Sequence, residues 1–240
     1  MPNSNLTAEQ KFIKYHDKLR DELNRAHTHY EICKTLRKFN GIYLKEINVA
    51  PSFFGLTIDA NLFATIMSIN RLFDKSSDSL KLAGLFKLVE NNISIFSDEA
   101  YEKRLRNRSR DEEDIKHFMK DHTSITSEIV HRDRINITNL PIQNLKNWRD
   151  KKLAHIDKGI VFESIDISKE SPIKIGEIDK IINTLHEILN RYMLAYDGTT
   201  WIIGTPAAGV EHQIEYIMKS IRFCEESKIM EIRGQIVSPT

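Results

Sequence analysis

Apolar residues recur every three or four positions over most of the chain, the period of a helix buried along one side. Thr7 can cap a helix beginning at Ala8, and Phe12, Tyr15, Leu19 and Leu23 keep its register. Tyr30, Cys33, Leu36 and Phe39 form a second stripe, which ends near Asn40-Gly41 or continues to Ile47. Residues 8–48 therefore read as one bent helix or as two. Pro51 marks a boundary, since proline fits a first helical turn and disrupts a later one. Beyond it Phe54, Ile58, Leu62, Ile66, Ile69 and Phe73 predict a central core helix, with Arg71 and Asp74 spaced as an ion pair near its end. Ser76-Ser77-Asp78-Ser79 reads as a loop, and Leu80, Leu82, Leu85, Leu88 and Val89 as the next helix.

Residues 111–134 read as one strongly charged helix with Ile115, Phe118, Met119, Ile125 and Ile129 as its buried minority, which puts His117, His122 and His131 on the wet side. Val161 to Ile167 alternates weakly and suggests a loop or short hairpin. Ile178, Ile181, Ile182, Leu185, Leu189, Tyr192 and Tyr196 make the clearest amphipathic helix, with His186 on its flank. After Gly204-Thr205-Pro206, the run Val210, Ile214, Ile217, Ile221 and Cys224 predicts a last helix that closes the bundle or packs on a neighbouring subunit. The pattern predicts an all-α antiparallel bundle of about six to eight helices. One domain is expected over residues 1–240, with a core of about 8–196 and a C-terminal helical extension over about 197–240.

Composition changes this picture little. With 40% hydrophobic and 29% charged residues the chain is ordinary for a globular protein. Its 35 basic residues nearly balance 34 acidic ones, so a charge-driven function must come from local patches. Cys33 and Cys224 make neither a disulfide framework nor a ligand cluster, and both read as buried small residues. His27 and His29, two apart, diverge on a helix; they read as surface residues and make a poor metal pair. Gly204 and Gly209 lack the Gly-Lys-Ser/Thr of a nucleotide loop. Neither metal nor cofactor is expected. The N-terminus is polar, and no continuous apolar run approaches the roughly 20 residues of a membrane span. A cytoplasmic protein without a membrane partner is the expectation.

Two stretches carry candidate chemistry. In Lys103-Arg104-Leu105-Arg106-Asn107-Arg108-Ser109-Arg110, five positive charges fall within eight residues, with Asp111-Glu112-Glu113-Asp114 directly after. The basic residues either pair with that acidic block or track phosphates. The second stretch runs from Ile142 to Asp157, with Pro141 at its first turn. At roughly 100° per residue, Ile142, Leu145, Leu153 and Ile156 form an apolar stripe with Trp148 at its edge. Arg149 projects into that stripe, where a guanidinium requires an anionic partner. His155 falls roughly 120° around the helix from it.

Arg149-Asp150-Lys151-Lys152-Leu153-Ala154-His155 resembles the signature of the HEPN superfamily, an Arg and a His separated by four to six residues in all-α ribonucleases. Asn61-Leu62-Phe63-Ala64-Thr65-Ile66-Met67-Ser68-Ile69-Asn70-Arg71-Leu72-Phe73-Asp74, followed by a Ser-rich turn and a further helix, is similar to the AbiU-type HEPN-like family linked to abortive phage infection. The resemblance implies a HEPN-like helical bundle and a metal-independent endoribonuclease, a toxin or phage-defence effector. RNA supplies its own nucleophile in the 2′-hydroxyl. The protein must then move a proton, which suits His155, and stabilise phosphate charge, which suits Arg149. Asp150 is placed to orient one of them, and Lys151 and Lys152 to hold the backbone, with Arg104, Arg106, Arg108 and Arg110 as a further RNA-binding patch. Active HEPN proteins generally pair two copies, so a homodimer with facing signature helices is expected, with RNA as substrate and a cognate antitoxin as a partner. Some HEPN toxins carry a Tyr two residues after the His, where a partner enzyme modifies them; Asp157 stands there in this chain. A non-catalytic HEPN-like module binding RNA, a nucleotide or a protein is the alternative, because fold does not imply chemistry.

Overall fold

The computed structural model describes residues 6–74, 76, 79–108, 111–153, 166–204 and 207–232, with side chains up to residue 229. Every regular element among these is helical. In chain order they are α1 (Ala8–Asn40), α2 (Leu44–Ile47), α3 (Pro51–Leu72), α4 (Leu82–Glu90), a 3-10 turn at Ile93–Phe96, α5 (Asp98–Asn107), α6 (Glu112–Lys120) and α7 (Ser127–Thr138). Next come α8 (Gln143–Trp148) with a π turn at Arg149–Leu153, α9 (Ile167–Glu170), α10 (Ile175–Asp197) and α11 (Val210–Ile232). The all-α class expected from the hydrophobic period is the observed one. Of the two readings of residues 8–48, the chain takes one long helix to Asn40 and then the single turn of α2.

The helix expected over residues 111–134 is two helices. Asp111 caps α6 by accepting from Asp114 N at 2.8 Å, and Thr126 caps α7 by accepting from Ile129 N at 3.3 Å. Between them Asp121-His122-Thr123-Ser124-Ile125-Thr126 is rich in capping and β-branched residues, which favour extended backbone and helix ends. Ile125 is buried and pins this connection. The weakly alternating segment from Val161 lies outside the described residues up to Ile165; Asp166 then caps the single turn of α9.

The chain divides into two compact units, one combining the residues up to Ala26 with Ile66–Ile203, the other combining His27–Thr65 with the residues from Gly204 onward. The first is built around α10, whose Ile178, Ile181, Ile182, Leu185, Ile188, Leu189 and Tyr192 are all buried. Phe12 of α1 meets Phe96 edge to face at 5.0 Å, and Phe96 and Phe86 both contact Tyr192. Gly198 ends α10 in the left-handed conformation, φ 77°, where a Cβ would lie 2.4 Å from the Tyr101 hydroxyl. Glycine satisfies both demands.

In the second unit Leu36, Phe39, Tyr43, Ile47 and Phe54 pack with Met218 of α11. Arg222 of α11 donates to the buried Glu46, which holds that carboxyl below its ordinary pKa, and Lys38 pairs with Glu211 at 2.7 Å. Cys33 is buried, and burial pushes its thiol pKa up. Cys224 is exposed, against the expectation for both cysteines; it lies beyond Ile214, Met218 and Ile221, through which α11 packs on this cluster. His27 and His29 are half-buried rather than on the surface, His29 being bonded to Asn61 at 2.9 Å. The 22 residues of α3 are long and apolar enough by length and composition to cross a membrane, although polar residues interrupt the run, against the expectation that no stretch approaches a span. Its Ile66, Ile69 and Leu72 are buried within the protein.

Candidate active site

The signature stretch is not a uniform helix. Ile142 occupies the N-cap of α8, so Pro141 precedes the helix instead of forming its first turn. Leu145 and Trp148 are buried as the stripe requires. At Arg149 the coil widens into the π turn, and the advance of 100° per residue stops holding. The residues that follow Arg149 therefore turn away from the directions an ideal helix would give them, and the Arg149 side chain itself is 28% exposed. π turns within helices are frequent at functional sites, because widening the coil re-aims a side chain.

Two sets of bonds fix the helix that carries Arg149. Asn70, buried on α3, donates to the Ile66 carbonyl at 2.9 Å and to the Leu145 carbonyl at 3.0 Å. On the other side, residues 170–172 are stapled along α8. Trp148 Nε1 donates to the Ser171 carbonyl at 2.7 Å, Asn147 to Ser171 Oγ at 2.9 Å and Asn144 to the Pro172 carbonyl at 2.8 Å. Lys151 reaches Glu170 at 3.3 Å. Asn70 is a polar residue within the apolar period of α3, a signal readable in the sequence; the Ser171 latch has none.

Arg149 Nε donates to Asp150 Oδ1 at 2.6 Å. That bond raises the guanidinium pKa above its ordinary value, and the nearby Asp74 charge adds to it. Asp150 therefore supplies the anionic partner that the sequence demanded. Among the described residues neither Nη group of Arg149 has a hydrogen-bond or ion-pair partner. Lys152 lies 4.9 Å from the centre of the Trp148 ring, and Lys151 is held by Glu170. The proposed proton-transfer residue, His155, lies outside the described residues.

The basic cluster is largely engaged within the protein. Arg104 is only 11% exposed: it donates to the Tyr196 carbonyl and the Ile95 carbonyl, both at 2.6 Å, and to Glu9 at 2.8 Å, with its guanidinium 4.1 Å from the Tyr196 ring centre. Arg106 bonds Glu102 and Glu112, and Arg108 bonds the Asp197 carboxylate at 2.8 Å. Of the two readings, pairing with acidic residues describes these three, although Arg104 and Arg108 reach Glu9 and the end of α10 rather than the adjacent acidic block. Arg110 lies outside the described residues.

Arg71 donates to Glu22 of α1 at 2.9 Å rather than to Asp74. The α3 helix ends at Leu72, so the spacing of three no longer stacks Arg71 and Asp74 on one helical face. His122 is not on the wet side either. It stacks on Tyr101 at 4.0 Å, with Nδ1 2.8 Å from Asp98 Oδ1 and Nε2 3.0 Å from the Ala195 carbonyl. Its bond, with that of Ser124, holds the Asp98 carboxyl below its ordinary pKa. His186 faces the Trp201 carbonyl at 2.8 Å. Among the described residues no group of three or more His, Cys, Asp or Glu is placed to hold a metal ion.

The described residues thus form an all-α fold in which a partly exposed Arg is bonded to its neighbouring Asp at a π turn. The HEPN_AbiU2 (AbiU2) family model matches residues 9–215, and the chain belongs to this HEPN family. No curated protein and no solved structure matches the chain.

Proposed function

We propose that this protein is a metal-independent endoribonuclease of HEPN type, acting as a toxin or phage-defence effector. The supporting observation is Arg149, held through Nε by Asp150 on a helix anchored at both Asn70 and Ser171. Its outer guanidinium nitrogens suit two oxygens of one phosphate. In the reaction the 2′-oxygen bonds to the adjacent phosphorus and the bond from phosphorus to the 5′-oxygen breaks. A proton leaves the 2′-hydroxyl and the 5′-oxygen gains one. His155 serves that proton transfer, and Arg149 holds the charge that builds on the phosphorane oxygens. Asp150 is a positioning residue, since its carboxylate bonds the nitrogen that phosphate does not need.

The proposal includes a homodimer in which two signature helices form one cleft, as in active HEPN proteins, and a cognate antitoxin that restrains it. A mixed RNA pool incubated with the protein in EDTA should yield 2′,3′-cyclic phosphate ends, and His155→Ala should abolish them. Expression of the wild type should arrest growth and His155→Ala should not. Mixing Arg149→Ala with His155→Ala chains should restore part of the cleavage if a site draws on both copies. Cleavage that requires magnesium, or survives His155→Ala, refutes the mechanism; RNA binding without cleavage returns the non-catalytic module.

A further inference from the structure

Arg104, Arg106 and Arg108 have internal partners, whereas positive charge without an ion-pair partner among the described residues lies elsewhere on the same unit. Lys11, Lys14 and Lys18 of α1 are spaced three and four apart, so they share one face along about 10 Å of helix axis. With Lys87 of α4 they rim a groove of about 920 Å³. None of these four ammonium groups has an ion-pair partner among the described residues. Asp17, the acidic residue lining the groove, already faces Arg20 at 3.2 Å.

This arrangement is locally unfavourable. Lys14 and Lys18 repel one another at a spacing of four, and Lys11 lies near the positive end of the α1 dipole. Asp17 and Asp21 stand three residues beyond Lys14 and Lys18, but both face Arg20, at 3.2 and 3.7 Å, and Glu22 pairs with Arg71, which leaves the lysine rim open to an external anion. The groove floor is apolar, with Tyr15, Leu80 and Leu88. Gly84 allows the close approach there, since a Cβ on it would fall 2.0 Å from the Tyr15 hydroxyl. That hydroxyl donates to the Lys81 carbonyl and accepts from Lys81 N, both at 3.0 Å, which ties the groove to the connection between α3 and α4. The same connection carries Asp74, whose charge acts on Arg149.

We propose that single-stranded RNA lies in this groove, its phosphates along the lysine rim and its bases on the apolar floor, and passes the α3–α4 connection toward Arg149. The proposal rests on the ribonuclease reading. Lysine ammoniums act as point charges and suit sequence-independent tracking of a backbone. RNA is favoured over an acidic peptide because the groove leads to the connection that influences the guanidinium site.

The test measures fluorescence anisotropy of a short labelled single-stranded RNA of mixed sequence bound to the full chain carrying His155→Ala. The same chain with Lys11→Gln, Lys14→Gln, Lys18→Gln and Lys87→Gln is the comparison, and its urea unfolding curve checks that the fold is kept. Affinity should fall about tenfold or more, and the slope of log affinity against log salt should become shallower by about 2 to 3, at about 0.7 per lost phosphate contact. Arg106→Gln should change neither. Unchanged affinity and slope in the lysine variant overturn the proposal, as does binding of an acidic peptide by the parent chain in place of RNA. Lysine-dependent RNA binding with no cleavage by the wild type would instead sink the ribonuclease reading and leave the groove standing.

Discussion

Replacing Arg104 by Lys separates a structural arginine cluster from a nucleic-acid patch. Lysine keeps the charge opposite Glu9 but lacks the planar fork that bonds the Tyr196 and Ile95 carbonyls at once. A bond from a charged donor contributes about 1.5–3 kcal/mol, and a buried carbonyl left unsatisfied adds its own penalty. With one of the two carbonyls still within reach of an ammonium, and the stacking on Tyr196 lost, destabilisation of about 2–4 kcal/mol follows. For a chain of this size about 2–4 °C in Tm accompanies each kcal/mol, so thermal unfolding should shift down by roughly 5–15 °C. Exposed Arg106, bonded to Glu102 and Glu112 on the surface, should give no measurable shift as Arg106→Gln. RNA affinity of the folded Arg104→Lys chain should match that of the wild type. An unchanged Tm combined with weaker RNA binding would refute the structural assignment.

Three further outcomes follow from buried groups. Gly198→Ala must hold a left-handed backbone and displace the buried Tyr101 ring, so calorimetry should show about 1–3 kcal/mol of lost stability; a neutral result would mean that α10 ends differently. Trp148→Phe keeps the packing but leaves the Ser171 carbonyl without its donor, and urea denaturation should register about 1–2 kcal/mol. His16 is fully buried, with Nε2 donating to the Leu189 carbonyl at 3.1 Å, and desolvation lowers its pKa. The unfolded chain then binds more protons near the ordinary histidine pKa of about 6.5. Its contribution to stability is complete above that pH and declines as the pH falls through it toward the folded-state value. Unfolding free energies of the wild type should drop more steeply than those of His16→Gln between about pH 8 and pH 5, and parallel curves would sink the assignment.

The sequence by itself determined that the protein is helical and which residues form most of its core, although Leu80, Ile217 and Cys224 of the apolar stripes are exposed, because apolar side chains at a period near 3.6 have one economical arrangement, a helix with that face buried. Phe12, Leu19, Leu23 and the α10 series show this directly: each was readable from spacing and each is buried. The demand of Arg149 for an anionic partner was also readable, since it depends on the desolvation of one charge. Which anion answered it was not, because spacing along the chain does not tell whether Asp150, Asp74 or a carboxylate from another element faces the guanidinium. The roles of the basic residues were likewise decided by tertiary structure. Arg104 and Arg108 lie within a run of positive charge, yet their partners include Glu9, Ile95, Tyr196 and Asp197. Lys11, Lys14, Lys18 and Lys87 are scattered over two helices and converge only when α1 packs beside α4. Charge counted along a chain records its residues, whereas its effect depends on the separation and burial that folding imposes.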